Sequence, residues 1–167
     1  MATANTKSTA ITNADASPRT ANSSYLEAGG LRISSATVEV AAADDNASTY
    51  RMCRLPSGAR IVKVDLFNDA ITVGTDYDLG FYKNAGDGGA VVDKDTLATA
   101  VDMSSARTTP LDLTWEVHDI NGIEKRIYEL TGIALAADPF LEYDLVFTAN
   151  TVGTAAGTIS INVYWTL

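Results

Sequence analysis

The stretch from 48 to 68 constrains the fold of this chain most, because it reads as a strand, a tight turn and a second strand. Proline and glycine in the Pro-Ser-Gly sequence at 56–58 suit a turn, since proline presets a negative φ and glycine accepts a positive one. Residues 60–68 then alternate between two faces, typical of a half-buried antiparallel strand. The two sets are Val62, Val64 and Leu66 on one face and Lys63 and Asp65 on the other.

The first strand of this hairpin, 50–55, does not show which of its faces points inward. One face carries Tyr50, Met52 and Arg54, and the other carries Arg51, Cys53 and Leu55. Because each face holds one arginine, the pattern leaves the two orientations open.

Further strands are predicted along the rest of the chain. Their ranges are 31–40, 77–83, 111–117 (with Trp115), 142–149 and 158–167. The last has the sharpest period of two and places Ile159, Ile161, Val163 and Trp165 on the inner face. In 142–149, Tyr143, Leu145 and Phe147 alternate with Asp144, Val146 and Thr148.

Two short helices are also predicted. In 93–101, Asp93 suits an N-cap, and Leu97 and Val101 are four residues apart. In 121–130, Asn121 suits an N-cap with Glu124 in the capping-box position, and Gly132 is a natural stop. Ile123, Ile127 and Leu130 share one face of that helix.

These elements predict an all-β fold, a jelly-roll-like antiparallel β-sandwich with one or two short helices and an extended N-terminal arm. The sandwich is predicted at 29–167 and the flexible, extended arm at 1–28. From residue 2 to 24 the arm consists almost entirely of Ala, Thr, Ser and Asn, with Ile11 as its one large apolar side chain. Such a segment buries too little surface to offset the entropy of ordering, about 1 kcal/mol or more per residue.

Charge and hydropathy exclude several classes of partner. Twelve basic residues against 21 acidic ones give a net charge of −9, which disfavours binding to nucleic acid. No apolar run approaches the roughly 20 residues that cross a membrane, and the N-terminus lacks a signal-peptide pattern. We therefore expect synthesis in a cytoplasm, with no membrane or nucleic-acid partner.

The residues do not predict an enzyme, a metal or another cofactor. His118 is the single histidine, Cys53 the single cysteine, and no G-x-S-x-G motif is present. Calcium at Asp76, Asp78 and Asp87 is weighed and set aside because no EF-hand pattern occurs. Cys53 is interpreted as a small, buried strand residue and Trp165 as a core residue, whereas Tyr164 is the exposed aromatic.

The runs at 48–82, 88–103 and 126–165 resemble segments of structural proteins from tailed bacteriophages. The chain is similar in this respect to head decoration (cement) proteins. The resemblance implies a jelly-roll-like domain on the outer surface of an assembled capsid. There it would stabilise the shell by bridging subunits of the major capsid protein, as a homodimer or homotrimer. It also implies a location in the virion, after synthesis in the bacterial host, and no catalytic residues.

Candidate contact residues with the capsid or a sister subunit lie in the arm and in the hairpin. They are Lys7, Ile11, Arg19 and Tyr25 in the arm, and Arg51, Arg54 and Arg60 in the hairpin. Pairing of the arginines with nearby acids is an equally good explanation for those three.

Two other functions are consistent with the same pattern. One is a tail, fibre or neck component, which would be present in few copies per particle. The other is a carbohydrate-binding β-sandwich module that uses exposed aromatics such as Tyr164.

Overall fold

The computed structural model of the protein describes residues 6–22, 29–114, 116, 119, 121–132 and 137–167. The strands of this part are β1 Arg32–Val40, β2 Thr49–Pro56, β3 Arg60–Asn68, β4 Asp76–Lys83, β5 Val91–Val101, β6 Arg107–Asp112, β7 Glu142–Thr151 and β8 Gly157–Thr166. Its α-helices are α1 Thr9–Ala14 and α2 Ile127–Leu130, and Ala85–Asp87 forms a 3-10 turn. Both α-helices of the described part are far shorter than a membrane-spanning helix.

The eight strands form two four-stranded sheets that pack face to face. The first sheet has the order β1-β8-β3-β6, and the second sheet has the order β2-β7-β4-β5. Strands β1 and β8, β2 and β7, β3 and β6, and β4 and β5 pair antiparallel, as in a long hairpin rolled up on itself. This is the double Greek-key order of an eight-stranded jelly roll. The predicted all-β, jelly-roll-like sandwich is confirmed.

The core lies between the sheets and follows the alternation of the strands. In β8, every second residue from Gly157 to Trp165 is buried, as the sequence predicted. Tyr77, Phe81 and Phe147 of the second sheet are the largest fully buried side chains. Each large apolar side chain contributes about 1.5–3 kcal/mol when it is fully buried.

A β-bulge in β2 decides the orientation that the sequence left open. The pairing with β7 shifts between Arg51 and Cys53, so that one extra residue is inserted there. Tyr50 before the bulge, Met52 within it and Leu55 after it are all buried. Because a bulge changes the side-chain alternation, both arginines of β2 lie on the solvent side.

A second bulge, in β3, makes part of the predicted alternation wrong. The pairing with β8 shifts between Ile61 and Lys63. As a result Ile61 is buried and Val62 is 46% exposed, although the sequence placed Val62 inward with Val64 and Leu66. Val64 and Leu66 are fully buried, as predicted.

The predicted turn at 56–58 is present and anchors two later segments. The Ser57 backbone N–H donates to the carbonyl of Leu141 (2.8 Å), and its Oγ donates to the Asp138 carboxylate. The Ser57 carbonyl accepts from the N–H of Tyr128 (3.1 Å). A Cβ at Gly58 would overlap the Asp138 carboxylate, so glycine permits this close approach.

The helix predicted at 93–101 is wrong, because these residues belong to β5. Their pairing with β4 is irregular: Phe81 lies opposite Asp93, and Leu79 lies opposite Ala98. Residues 94–97 therefore bulge, and Leu97 still reaches the core. Leu97 and Val101, whose four-residue spacing suggested a helix, are both buried from within the strand.

The second predicted helix is shorter than expected. Instead of 121–130, α2 comprises Ile127–Leu130, and its N-cap is Arg126. The Glu129 carboxylate accepts from the Arg126 N–H at 2.7 Å, so the capping position lies five residues after Asn121. Ile127 is buried, whereas Ile123, which was predicted on the same face, is 51% exposed; Gly132 follows the helix with φ of 68°.

Two further predictions extend into parts that the structure leaves undescribed. Strand 111–117 overlaps β6 only at its first two residues, and Trp115 and Val117 lie outside the described residues. In the predicted arm, residues Thr9–Ala14 form α1. The boundary between arm and sandwich at residue 28 stays a prediction, since 23–28 are also outside the described residues.

Candidate interaction surfaces

The arm segment 6–22 forms a small folded unit around α1. Ser8 caps the helix by accepting from the Ile11 N–H (3.3 Å), and Lys7 Nζ lies 2.7 Å from the Asp15 carboxylate. The side chains of Asn13 and Asn22 are joined by a hydrogen bond of 2.8 Å. This arrangement leaves Ile11 51% exposed on the helix.

The predicted arm residues are thus only partly placed. Lys7 precedes the N-cap of α1, and Ile11 lies within the helix. Arg19 follows the helix and is exposed, and Tyr25 lies outside the described residues. Their role as contacts stays a prediction.

Two of the predicted arginines meet at a single buried carboxylate of β7. Arg54 Nε donates to Asp144 Oδ1 at 2.7 Å, and Arg51 donates to Asp144 Oδ2 at 2.9 Å. Arg51 also donates to the carbonyls of Lys83 (3.0 Å) and Gly89 (2.8 Å). Its guanidinium lies 5.5 Å from the centre of the Tyr82 ring, a cation–π distance. The bulge in β2 is what brings both arginines to this face.

Asp144 has an electrostatic role in this cluster. Its side chain is 8% exposed, so burial by itself would raise its pKa, but hydrogen bonds from Arg54 and Arg51 outweigh burial and lower the pKa. Asp144 is therefore ionised at neutral pH and holds β2 to β7. The side chains of Arg51 and Arg54 are 37% and 48% exposed, so each remains partly in contact with solvent.

Arg60 does not join this cluster, because it lies on β3 in the first sheet. Its Nε donates to the carbonyl of Glu124 at 2.8 Å and holds the 121–124 turn against the strand. The three hairpin arginines therefore do not converge on one site, and each makes contacts within the chain.

A second polar cluster on the outer face of the second sheet centres on Asp78. Its carboxylate accepts from Lys94 Nζ (2.7 Å), Asn150 Nδ2 (2.8 Å) and the Ala100 N–H (3.1 Å). Burial favours a higher pKa for Asp78, but these bonds outweigh it and lower the pKa. Asp76 lies at the same cluster, since it accepts from the same Asn150 at 2.9 Å. A lysine at the carboxylate makes the cluster a poor calcium site, and no group of three metal-binding side chains is found among the described residues.

The outer face of the first sheet carries an apolar patch that the sequence did not predict. We define the first-sheet patch as Leu31, Ile33, Val62 and Tyr164. Ile33, Tyr164 and Lys63 lie opposite one another across β1, β8 and β3. Leu31 and Ile33 are 57% and 59% exposed, and the β3 bulge adds Val62. Exposed apolar groups that are contiguous, rather than scattered, mark interaction sites.

An open groove of about 390 Å³ lies at the end of the sandwich where β2 turns into β3. We call it the end groove. Pro56, Leu141 and Leu167 contribute apolar walls, and Phe140 stands on its rim with 90% of its surface exposed. The sequence signal for Phe140 was weak: a large apolar residue after Asp138-Pro139, outside any alternating run.

The cysteine and the aromatic residues that the sequence offers for chemistry have different surroundings. Burial, with a smaller effect from Asp144, raises the pKa of the Cys53 thiol to about 12, so the thiol is protonated and unreactive at neutral pH. Trp165 is buried and Tyr164 is partly exposed, as the sequence predicted. His118 lies outside the described residues.

The sequence matches no protein-family model, and no curated protein matches it significantly. The fold, in contrast, is similar to that of chains in two solved phage capsids. For a chain of the Cyanophage Pam1 capsid asymmetric unit, the TM-score is 0.55 and the identity 15%, over 83% of this chain and 86% of that chain. For a chain of the capsid of Ralstonia phage GP4, the TM-score is 0.57 and the identity 12%, over 83% and 84%. The chain therefore has a fold that also occurs in phage capsid structures.

Proposed function

We propose that this chain is a structural virion protein that binds the outer surface of a tailed-phage capsid and stabilises the shell by bridging major capsid protein subunits. The observation that carries the proposal is the fold shared with chains of two phage capsid structures, over 83% of this chain and 86% and 84% of theirs. The sequence resemblance to decoration proteins supports the finer assignment. The proposed assembly is a homo-oligomer, a dimer or a trimer.

The charge of the chain supports the outer rather than the inner surface. A net charge of −9 repels the phosphate backbone of packaged DNA. On the outside of a shell, the same charge favours solubility and opposes non-specific association. The proposed role is mechanical, and no residue is assigned a catalytic step.

The arm and the first-sheet patch are the proposed contacts with the shell. The arm leaves the sandwich next to Leu31, so the arm and the patch are continuous along the chain. Many identical weak contacts on a symmetric lattice give strong overall attachment through avidity. Arg51 and Arg54 contribute chiefly by holding β2 and β7 together through Asp144.

Copy number in purified virions tests the proposal. Quantitative mass spectrometry should find this chain in a number comparable to that of the shell subunits. A few copies per particle would instead identify a tail, fibre or neck component, and absence from the particle would refute a virion role.

Removal of residues 1–24 tests the arm. The truncated chain should unfold thermally like the full chain but should no longer bind particles that lack the protein. A point variant, Ile11→Ser, should weaken binding, whereas Val91→Ser, at an equally exposed valine of β5, should not. Decoration by the truncated chain at the occupancy of the full chain would show that the arm is not a contact.

A further inference from the structure

Phe140 combines high exposure with a left-handed backbone, a combination that Val73 shows with lower exposure. The Phe140 side chain is 90% exposed, the highest value among the large apolar residues that the structure describes. Its backbone has φ of 54°, in the left-handed region that bulky residues avoid. Neither property improves the folding of the isolated chain, and what separates Phe140 from Val73 is its position beside an apolar groove.

Hydrogen bonds on both sides of Phe140 hold it in this conformation. The Phe140 N–H donates to Asp138 Oδ1 at 2.9 Å. The next residue, Leu141, donates its N–H to Ser57 Oγ at 3.0 Å and accepts from the Ser57 N–H at 2.8 Å. Ser57 is 1% exposed, so the anchor is part of the folded body. The ring is therefore presented to solvent from a fixed backbone, which lowers the entropy cost of binding.

The end groove beside Phe140 has the size and character of a receptor for such a ring. Its volume of about 390 Å³ falls within the range of pockets that hold drug-sized ligands, which are larger than one phenyl ring. Pro56, Leu141 and Leu167 supply apolar surface, and Leu167 is 49% exposed. A projecting ring and an apolar groove thus lie side by side on one surface.

We infer that a second copy of this chain occupies the end groove, each copy inserting its Phe140 into the groove of the other about a two-fold axis. A two-fold interface uses the same patch on both subunits, so the patch must be complementary to itself. A knob next to a hole satisfies that requirement, since a half-turn brings each knob to the other hole.

The charges on the rim of the groove point to the same occupant. One basic residue, Arg126, and two acidic residues, Asp138 and Glu142, line it. The Asp138 carboxylate accepts hydrogen bonds from Ser57 Oγ and the Phe140 N–H of its own chain. Two-fold pairing can place the Arg126 of one subunit near the Glu142 of the other. Such a rim is complementary to itself in charge, which favours a second copy over a uniformly charged partner.

This inference deepens the homo-oligomer in the proposed function, but its test requires no capsid. A chain that dimerises through Phe140 and is absent from virions would support the inference and refute the virion role. A chain that decorates capsids but forms no Phe140-dependent dimer would support the virion role and refute the inference.

The test is the oligomeric state of the full chain, measured by sedimentation velocity over a range of concentrations. The wild type should be a dimer at high concentration, and Phe140→Gly should weaken the dimer by about 30-fold, as expected for a central aromatic anchor. Because glycine accepts a positive φ, the same variant should keep or raise the thermal midpoint. The matched control is Val73→Gly, at a residue that is 55% exposed with φ of 64° in the connection after β3; it should leave the dimer unchanged.

A mixing experiment distinguishes insertion of Phe140 from a general loss of apolar surface. Leu167→Asp damages the groove and leaves the ring, whereas Phe140→Gly removes the ring and leaves the groove. Differently tagged, the two variants should pair with each other more strongly than either pairs with itself, because one ring still meets one intact groove. A wild-type monomer at all concentrations, a trimer, or mixed variants without preference would overturn the inference.

Discussion

Strands β7 and β8 occupy equivalent central positions in the two sheets but have different surroundings. Strand β8 is buried on one face, with residues from Gly157 to Thr166 alternating between buried and partly exposed. Strand β7 is buried on both faces, from Tyr143 through Ala149. Their sequences alternate alike, so the difference arises from what covers the outer face of each sheet.

The outer face around β7 is covered by long polar side chains and by the bulge of β5, two strands away in the sheet. The bulge lies across Gly80 of β4, which is paired with Val146 of β7; a Cβ at Gly80 would be 2.6 Å from the Lys94 carbonyl oxygen. Arg51 and Arg54 close the face at Asp144, and Lys94 closes it at Asp78. The outer face of β8 has short polar pairs, such as Ser35 with Asn162 and Thr37 with Ser160, and the partly exposed ring of Tyr164. The second sheet is thus closed by the chain itself, whereas the first sheet leaves its apolar patch exposed.

The largest expected effect comes from Gly80→Ala, which tests the cover over β7. A methyl group there would collide with the backbone of Asp93 and Lys94, so β5 must move. We expect a loss of about 3 kcal/mol or more in the free energy of unfolding, since backbone cannot relax as a flexible side chain does. Chemical denaturation measures it.

Gly30→Ala is the matched control for that variant, because no atom lies within 4 Å of the added methyl group. It should change stability by less than about 0.5 kcal/mol. Equal stability of the two variants would show that β5 does not press on β4 at this point.

Asp144→Asn should have a smaller effect, because it weakens the arginine cluster without a collision. The amide cannot accept two charged donors as the carboxylate does, and we expect a loss of about 1–3 kcal/mol. The first-sheet counterpart is Asn162→Ala, on the open face opposite Ser35, with an expected change below about 0.5 kcal/mol.

The pH dependence of this difference provides a second check. The pKa of Asp144 is lowered in the folded protein, so its contribution is present above the unfolded value of about 3.9 and is lost as the pH falls through the lower folded value. The gap in stability between wild type and Asp144→Asn should therefore narrow in acid. A gap that stays constant down to the lowest measurable pH would show that the carboxylate charge is not what holds the arginines.

The smallest effect is expected for Val62→Ser, on the open face of the first sheet. Val62 is 46% exposed, so the change in stability should be below about 0.5 kcal/mol. Val64→Ser, two residues on, places a hydroxyl in the core at a fully buried site, so the loss in the free energy of unfolding should be several-fold larger. Simple alternation predicts equal losses for the two variants, and equal measured losses would refute the bulge.

The contact residues show where sequence reasoning stopped. The sequence identifies Arg51 and Arg54 but leaves open whether they pair with nearby acids. Their partner, Asp144, lies 93 and 90 residues away along the chain, and in the sequence it is only one residue of an alternating strand. Phe140 has no such sequence signal, because its exposure depends on the anchoring of Leu141 to Ser57. In each case the missing information was a contact between residues distant in sequence.

Local patterns in the sequence were sufficient for the fold class, most strand positions, the turn at 56–58 and the inner face of β8, because turn residues and a period of two act over a few neighbours. Tertiary structure alone decided the bulges at β2, β3 and β5, the burial of both faces of β7, and the outward position of Val62. The physical reason is that register and cover are set by hydrogen bonds and packing between strands far apart in the chain. A one-residue shift in such a pairing moves a side chain from the core to the surface, and here it creates part of the patch proposed to meet a partner.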